Sequence, residues 1–179
     1  IGRELYSQLV NESIEKSSLN NSLLRLPINS IVVNIYNNIL IEASFISNQH
    51  LRFDIYKKIF SSLSLDSLNN IEKEILDRFG ILSDGLFCLF NTQKIRILCA
   101  LLGIKNIVLS SGSFLTIVFS NKIKNIDSLL MVSNNYFFSL GTRFKLNSSS
   151  INSLVLQIEV TNDFNVFSFL YKYLNKLLQ

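Results

Sequence analysis

Few residues in this chain could do chemistry. Glu72, Glu74 and Asp77 crowd one stretch, and Glu74 and Asp77 stand at i and i+3, which puts two carboxylates on one face of a helix. Such a pair can act as general acid and base inside a concave, water-excluding pocket. A solvated polar face is the default for such a pair; a docking surface for a basic partner is the middle option, which chemistry alone does not rank. The single histidine, His50, falls at the start of a predicted helix with no Ser–His–Asp set around it. Cys88 and Cys99 share one predicted helix at roughly 16 Å separation, beyond disulfide reach. With one histidine and no Cys-x-x-Cys, a zinc site is not expected. Neither a Gly-x-x-x-x-Gly-Lys-Ser/Thr loop nor a Gly-x-Gly-x-x-Gly stretch is present. Phe137-Phe138 could stack bases, but a Tyr/Phe run in a strand is more often core. The net charge of +4 is spread along the chain. Lys57-Lys58 and Lys122/Lys124 are the nearest things to clusters, short of the basic stripe of a dedicated nucleic-acid module.

The elements that must position these residues follow from pattern. The chain has 179 residues, of which 48% are hydrophobic, enough to bury a core and to exclude wholesale disorder. Charged residues reach only 17% because Asn and Ser fill the polar positions, which we read as compositional drift. No window of about 18 residues is free of charged or strongly polar groups, so no membrane-spanning helix is expected. The opening Ile1-Gly2-Arg3-Glu4-Leu5-Tyr6 lacks both an initiator Met and the order of a secretory signal. The expectation is a fragment, or the tail of a longer reading frame, in a reducing cytoplasm.

Residues 1–16 read as a helix and 17–22 as a loop. Pro27, Ile28, Ile31 and Val33 suggest an extended segment, with a turn over 34–38 and a further extended piece at Ile39-Leu40-Ile41. Three helices follow. The first starts near Asn48 and carries Leu51, Ile55 and Ile59. The second runs from Asp66, as N-cap, to Phe79, with Leu68, Ile71, Ile75 and Phe79 on its apolar face and Gly80 as the stop. The third runs from Ser83 or Asp84 to Leu102. Then the period changes. Ile104–Leu109 and Phe114–Phe119 predict a hairpin, and 121–132 a short helix with Ile123, Ile126 and Leu130 inward. Tyr136–Leu140 and Arg143–Leu146 predict a strand pair, and Leu154–Val160 a further strand. A last helix is capped by Asp163 and ends at Leu178. The fold class is α+β, with N-terminal helices followed by a small antiparallel sheet with packed helices and a C-terminal helix.

A resemblance attaches to particular residues. Leu51-Arg52-Phe53-Asp54-Ile55-Tyr56-Lys57-Lys58-Ile59, then Ile71–Asp84 with Asp77-Arg78-Phe79-Gly80 at its centre, then Leu102-Gly103-Ile104, resemble the C-terminal domain of bacterial transcription-repair coupling factors. The opening Ile1–Tyr6 is similar to the segment that closes that family's translocase module, and Leu26-Pro27 to the start of its terminal domain. The resemblance thus implies residues 1–22 as the end of the translocase module and linker, and 23–179 as the regulatory domain. Ser47 and Ser83 stand where the family usually has Pro, and Asn48 where it has an acidic residue; losing the prolines frees the backbone and implies lower stability.

The family's full protein is an ATP-driven DNA translocase that pushes on stalled RNA polymerase and recruits UvrA. The resemblance implies that the C-terminal domain is not the motor. It would cover the UvrA-binding surface of the N-terminal UvrB-like module until polymerase is engaged, with Glu74 and Asp77 facing basic side chains there. ATP and Mg would belong to the parent protein; this chain would carry no cofactor, no metal and no catalytic residue, and would have no membrane partner. Two other readings stand beside it: an independent nucleic-acid-binding module, and a small enzyme using Glu74 or Asp77.

Overall fold

The computed structural model describes residues 26–36, 39–110, 114–120, 126–148, 153–161 and 165–179. The helix expected over 1–16, the boundary expected at residue 22 and the cap expected at Asp163 lie outside the described residues. The chain forms two compact units, Tyr36–Ile97 and a second made of 26–35 with Leu98–Gln179.

The first unit is helical. Helix α1 (Gln49–Ser61) begins where the Asn48 side chain accepts a hydrogen bond from the Leu51 amide at 3.1 Å. It buries Ile55, Tyr56, Ile59 and Phe60. Helix α2 (Leu65–Phe79) is capped by Ser64, whose Oγ accepts from the Ser67 amide at 3.2 Å. The expected cap, Asp66, lies instead in the first turn, where its charge still favours the helix dipole. Gly80 ends α2 as expected. Its φ of 78° is left-handed, and its amide donates to the Leu76 carbonyl at 2.7 Å.

Helix α3 (Asp84–Leu102) is buried on more than one side. Besides Leu86, Phe90 and Ile97 it buries Leu89, Ile95 and the polar Asn91, Thr92 and Gln93. Each of these polar side chains donates a hydrogen bond: Asn91 to the Tyr36 hydroxyl at 3.2 Å, Thr92 to the Cys88 carbonyl at 2.8 Å and Gln93 to the Ser62 carbonyl at 3.0 Å. By length and composition α3 could cross a membrane, but most of it is buried within the protein, as a core helix is. The piece 39–41 forms no strand. Instead the Ile41 amide donates to the Tyr56 hydroxyl at 2.5 Å.

The second unit is a five-stranded sheet with two helices. A 3-10 turn (Ile28–Ser30) leads into β1 (Val32–Asn34), then come β2 (Ile104–Ser110), β3 (Phe114–Phe119), α4 (Ile126–Ser139), β4 (Phe144–Ser148), β5 (Leu154–Glu159) and α5 (Val166–Leu178). The strand order is β1-β2-β3-β5-β4. The sheet is mixed and not wholly antiparallel, because β1 pairs parallel with β2. Three helices separate these two strands in the chain, the long crossover that a parallel pair requires.

Tyr136–Leu140, expected as a strand, lies in and just beyond α4. A Tyr-Phe-Phe run has no period of its own, and here packing decides: Leu129, Ser133, Tyr136 and Phe137 form one buried helical face. Ile126, expected inward, is exposed. The Phe137 ring lies 4.8 Å from Phe144 and 5.0 Å from Tyr173. The Ser133 and Tyr173 hydroxyls lie 2.7 Å apart, and burial pushes the Tyr173 phenol well above its usual range. Helix α5 starts at Asn165, whose side chain accepts from the Ser168 amide at 2.9 Å.

One contact leaves no room for a side chain. A Cβ on Gly85 would lie 1.7 Å from the Leu40 carbonyl oxygen. Gly85→Ala should therefore cost about 2–3 kcal/mol through a forced backbone shift. Denaturant unfolding of the variant against the parent chain checks this, with Ala43→Gly as an exposed control of the reverse change.

Candidate docking surface

The segments that carry the family resemblance build the α1–α2 hairpin and its ties. The Arg52 guanidinium donates to the carbonyls of Ile46 at 2.5 Å and Ser47 at 2.9 Å, holding the chain that enters α1. At the other end of the hairpin the Arg78 guanidinium lies 5.4 Å over the Phe79 ring, and Phe79 packs on Phe45 at 5.5 Å. Asn48 and Ser83, two of the departures from the family pattern, both cap helices. The Ser83 Oγ accepts from the Leu86 amide at 3.3 Å, so each keeps a local constraint of its own.

The three carboxylates of α2 meet three different fates. Glu72 pairs with Lys94 at 2.7 Å, largely out of solvent, and ties α2 to α3. Glu74 pairs with Lys58 of α1 at 2.7 Å, with its own side chain 58% exposed. It lines a groove of about 420 Å³ between α1 and α2, with Asp54, Lys57 and Arg78 at its edges and Ile55 and Ile75 below. Asp77 is exposed, does not line that groove, and has no ion-pair or hydrogen-bond partner among the described residues. Beside it Leu76 is 38% exposed, and Ile81, just past the left-handed Gly80, is 64% exposed. Neither Glu74 nor Asp77 has the enclosing, water-poor surroundings that acid–base work needs. Asp77 is thus an exposed acid with no partner among the described residues, with the partly exposed Leu76 before it in the chain and Ile81 four residues after it.

Glu42 escaped the sequence reading, because a single acid in a loop carries no periodic signal. Its Oε1 accepts from the Gly85 amide at 3.1 Å, putting a carboxylate at the N-terminus of α3. Burial pushes its pKa up, but the Ser83 side chain, its own amide and the Gly85 amide together outweigh that and leave it below the usual value. The glycine at this helix start serves close packing and not a phosphate cradle.

Residues 35–129 match the family model described as the TRCF domain, more than half of the chain. The chain belongs to the TRCF domain family. Glu74 and Asp77 both lie inside the matched stretch. The TRCF domain here is 29% identical over 109 residues to the transcription-repair-coupling factor of Escherichia coli (strain K12), covering 60% of this chain and 10% of that protein. It is 27% identical over 152 residues to the transcription-repair-coupling factor of Rickettsia prowazekii (strain Madrid E), covering 84% of this chain and 13% of that protein. The chain thus spans roughly a tenth of the length of these relatives. Its fold is that of a crystal structure of the C-terminal domain of a transcription-repair coupling factor, with a TM-score of 0.63 at 19% identity, over 83% of this chain and 92% of that one.

The lowered Glu42 pKa makes a signed prediction for this TRCF domain. A carboxylate stabilised in the folded state contributes fully above its unfolded pKa, and that contribution is lost as pH falls through the folded value. Glu42→Gln should therefore cost about 1–2 kcal/mol at pH 7, and the gap to the parent chain should close as the pH falls below about 4. Urea unfolding across a pH series measures it.

Proposed function

We infer that this TRCF domain is the regulatory C-terminal domain of a transcription-repair coupling factor, and that it restrains its parent by docking. The observation that carries this is Asp77, an acid without a partner among the described residues, beside the exposed apolar side chains of Leu76 and Ile81. An interface built on such a patch pairs a charge with a central apolar contact, which gives both register and affinity. The fitting partner is a basic surface on the N-terminal UvrB-like module of the same protein. The docked and released forms are two states of one equilibrium, and whatever competes for the patch shifts it. In this reading ATP hydrolysis with Mg, DNA translocation, displacement of stalled RNA polymerase and recruitment of UvrA belong to the rest of the parent. The released state makes the UvrA-binding surface available.

The two acids contribute unequally. Glu74 already has Lys58, so docking exchanges one ion pair for another, whereas Asp77 gains a partner it lacks.

Calorimetric titration of the chain with the UvrB-like module tests the assignment. Asp77→Lys should weaken binding about tenfold or more, Glu74→Lys less, and the double variant most. Ile81→Asp should weaken it as well, since its site is apolar. All three positions are exposed, so unfolding stability should stay within about 0.5 kcal/mol of the parent chain. Affinity unchanged in the double variant would remove the role assigned to the pair.

A further inference from the structure

The second unit holds a cleft of about 950 Å³ that the docking role does not use. Its floor follows from the strand register. Lys145 of β4 stands opposite Gln157 of β5, and Gln157 opposite Thr116 of β3. One step along, Phe114 of β3 stands opposite Glu159 of β5, and the Glu159 amide donates to the Arg143 carbonyl at 3.0 Å. Alternation puts these two rows on one face, about 4.8 Å between neighbours. Phe138 of α4 lines the cleft from its side.

Three features of this lining are unusual together. Phe138 is 90% exposed and Phe114 46%, so two aromatic faces are left open to solvent in one concavity. Arg143 and Lys145 are exposed and have no ion-pair partner among the described residues. Between them the amide of Gln157, and those of Asn134 and Asn135 on α4, supply donors and acceptors.

We propose that this cleft binds a short stretch of single-stranded nucleic acid. Phe138 and Phe114 are the stacking platforms, and Arg143 and Lys145 contact phosphates. Stacking on exposed aromatics needs unpaired bases, which duplex does not offer. The two unpaired cations complement a polyanion, as does the +4 charge of the chain. Glu159 is the one acid among the described residues that line the cleft. It would repel a phosphate but can accept from an exocyclic base amine, which cytosine, adenine and guanine offer and thymine and uracil do not. A bilayer is the poorer fit, because the site is concave and its amides would go unsatisfied against acyl chains.

The test is fluorescence anisotropy with the whole 179-residue chain and a labelled oligodeoxynucleotide of about 10 nucleotides. An oligoribonucleotide and a duplex of the same sequence, and anionic vesicles, run beside it. Binding of either single strand above the duplex supports the proposal and names its source. Phe138→Ala, at an exposed position, should weaken binding about tenfold. Arg143→Ala with Lys145→Ala should lower the slope of log affinity against log salt by about 1.4. Lys57→Ala with Lys58→Ala, outside the cleft, should leave that slope unchanged. No binding at about 50 mM salt, equal binding of duplex, affinity indifferent to Phe138→Ala and the cation pair, or capture by vesicles alone would each overturn it.

Discussion

The start of helix α3 is the point on which the helical unit turns. The Leu40 carbonyl sits so close to Gly85 that only a residue without a Cβ fits between the incoming chain and the helix. The same approach brings Glu42 to the Gly85 amide, where the carboxylate satisfies a donor that the helix itself cannot. Ser83 satisfies another at Leu86. With its first turn held this way, α3 can be buried on nearly every side, and α2 is tied to it through Glu72 and Lys94. The placing of α2 on α3 therefore depends in part on a contact well away from it in the chain.

Four acids of this unit show how environment divides one chemistry into different jobs. Glu42 is spent on a helix terminus and Glu72 on a helix–helix tie. Glu74 is half-committed, paired with Lys58 but open to water. Of these four, Asp77 is the one with no partner among the described residues. An acid already paired in the free state brings little net energy to any new ion pair, whereas an unpaired one has no bond to give up. Leu76 and Ile81, on either side of it in the chain, leave apolar surface exposed.

The sheet unit has a different economy. Its inner face is sealed by the aromatic cluster of Phe137, Phe144, Phe169 and Tyr173 around the Ser133–Tyr173 hydrogen bond. Phe138, next in the chain to Phe137, is turned to solvent by the helical period, so adjacent residues of one type end in opposite surroundings. The cleft with its cations and amides arises from that divergence together with the pairing of β3, β5 and β4.

Much of this was legible in the order of residues. The three helices over 49–102, the stop at Gly80, the hairpin strands and the last two elements follow from local period and punctuation, which act within one turn or one strand. The Asp77-Arg78-Phe79-Gly80 block was enough to point to the family. Other features came only with the fold. Tyr136–Leu140 reads equally well as strand or helix until α5 supplies the surface that α4 packs against, and β1 has no parallel partner until the chain returns as β2. Glu74 and Asp77 share a helical spacing, but only Lys58, sixteen residues upstream, separates them into a paired and an unpaired acid. Glu42 and Gly85 lie 43 residues apart, and the rows of the cleft join three strands. Local sequence dictates which backbone each segment prefers; which side chains meet depends on chain segments that local pattern cannot bring together.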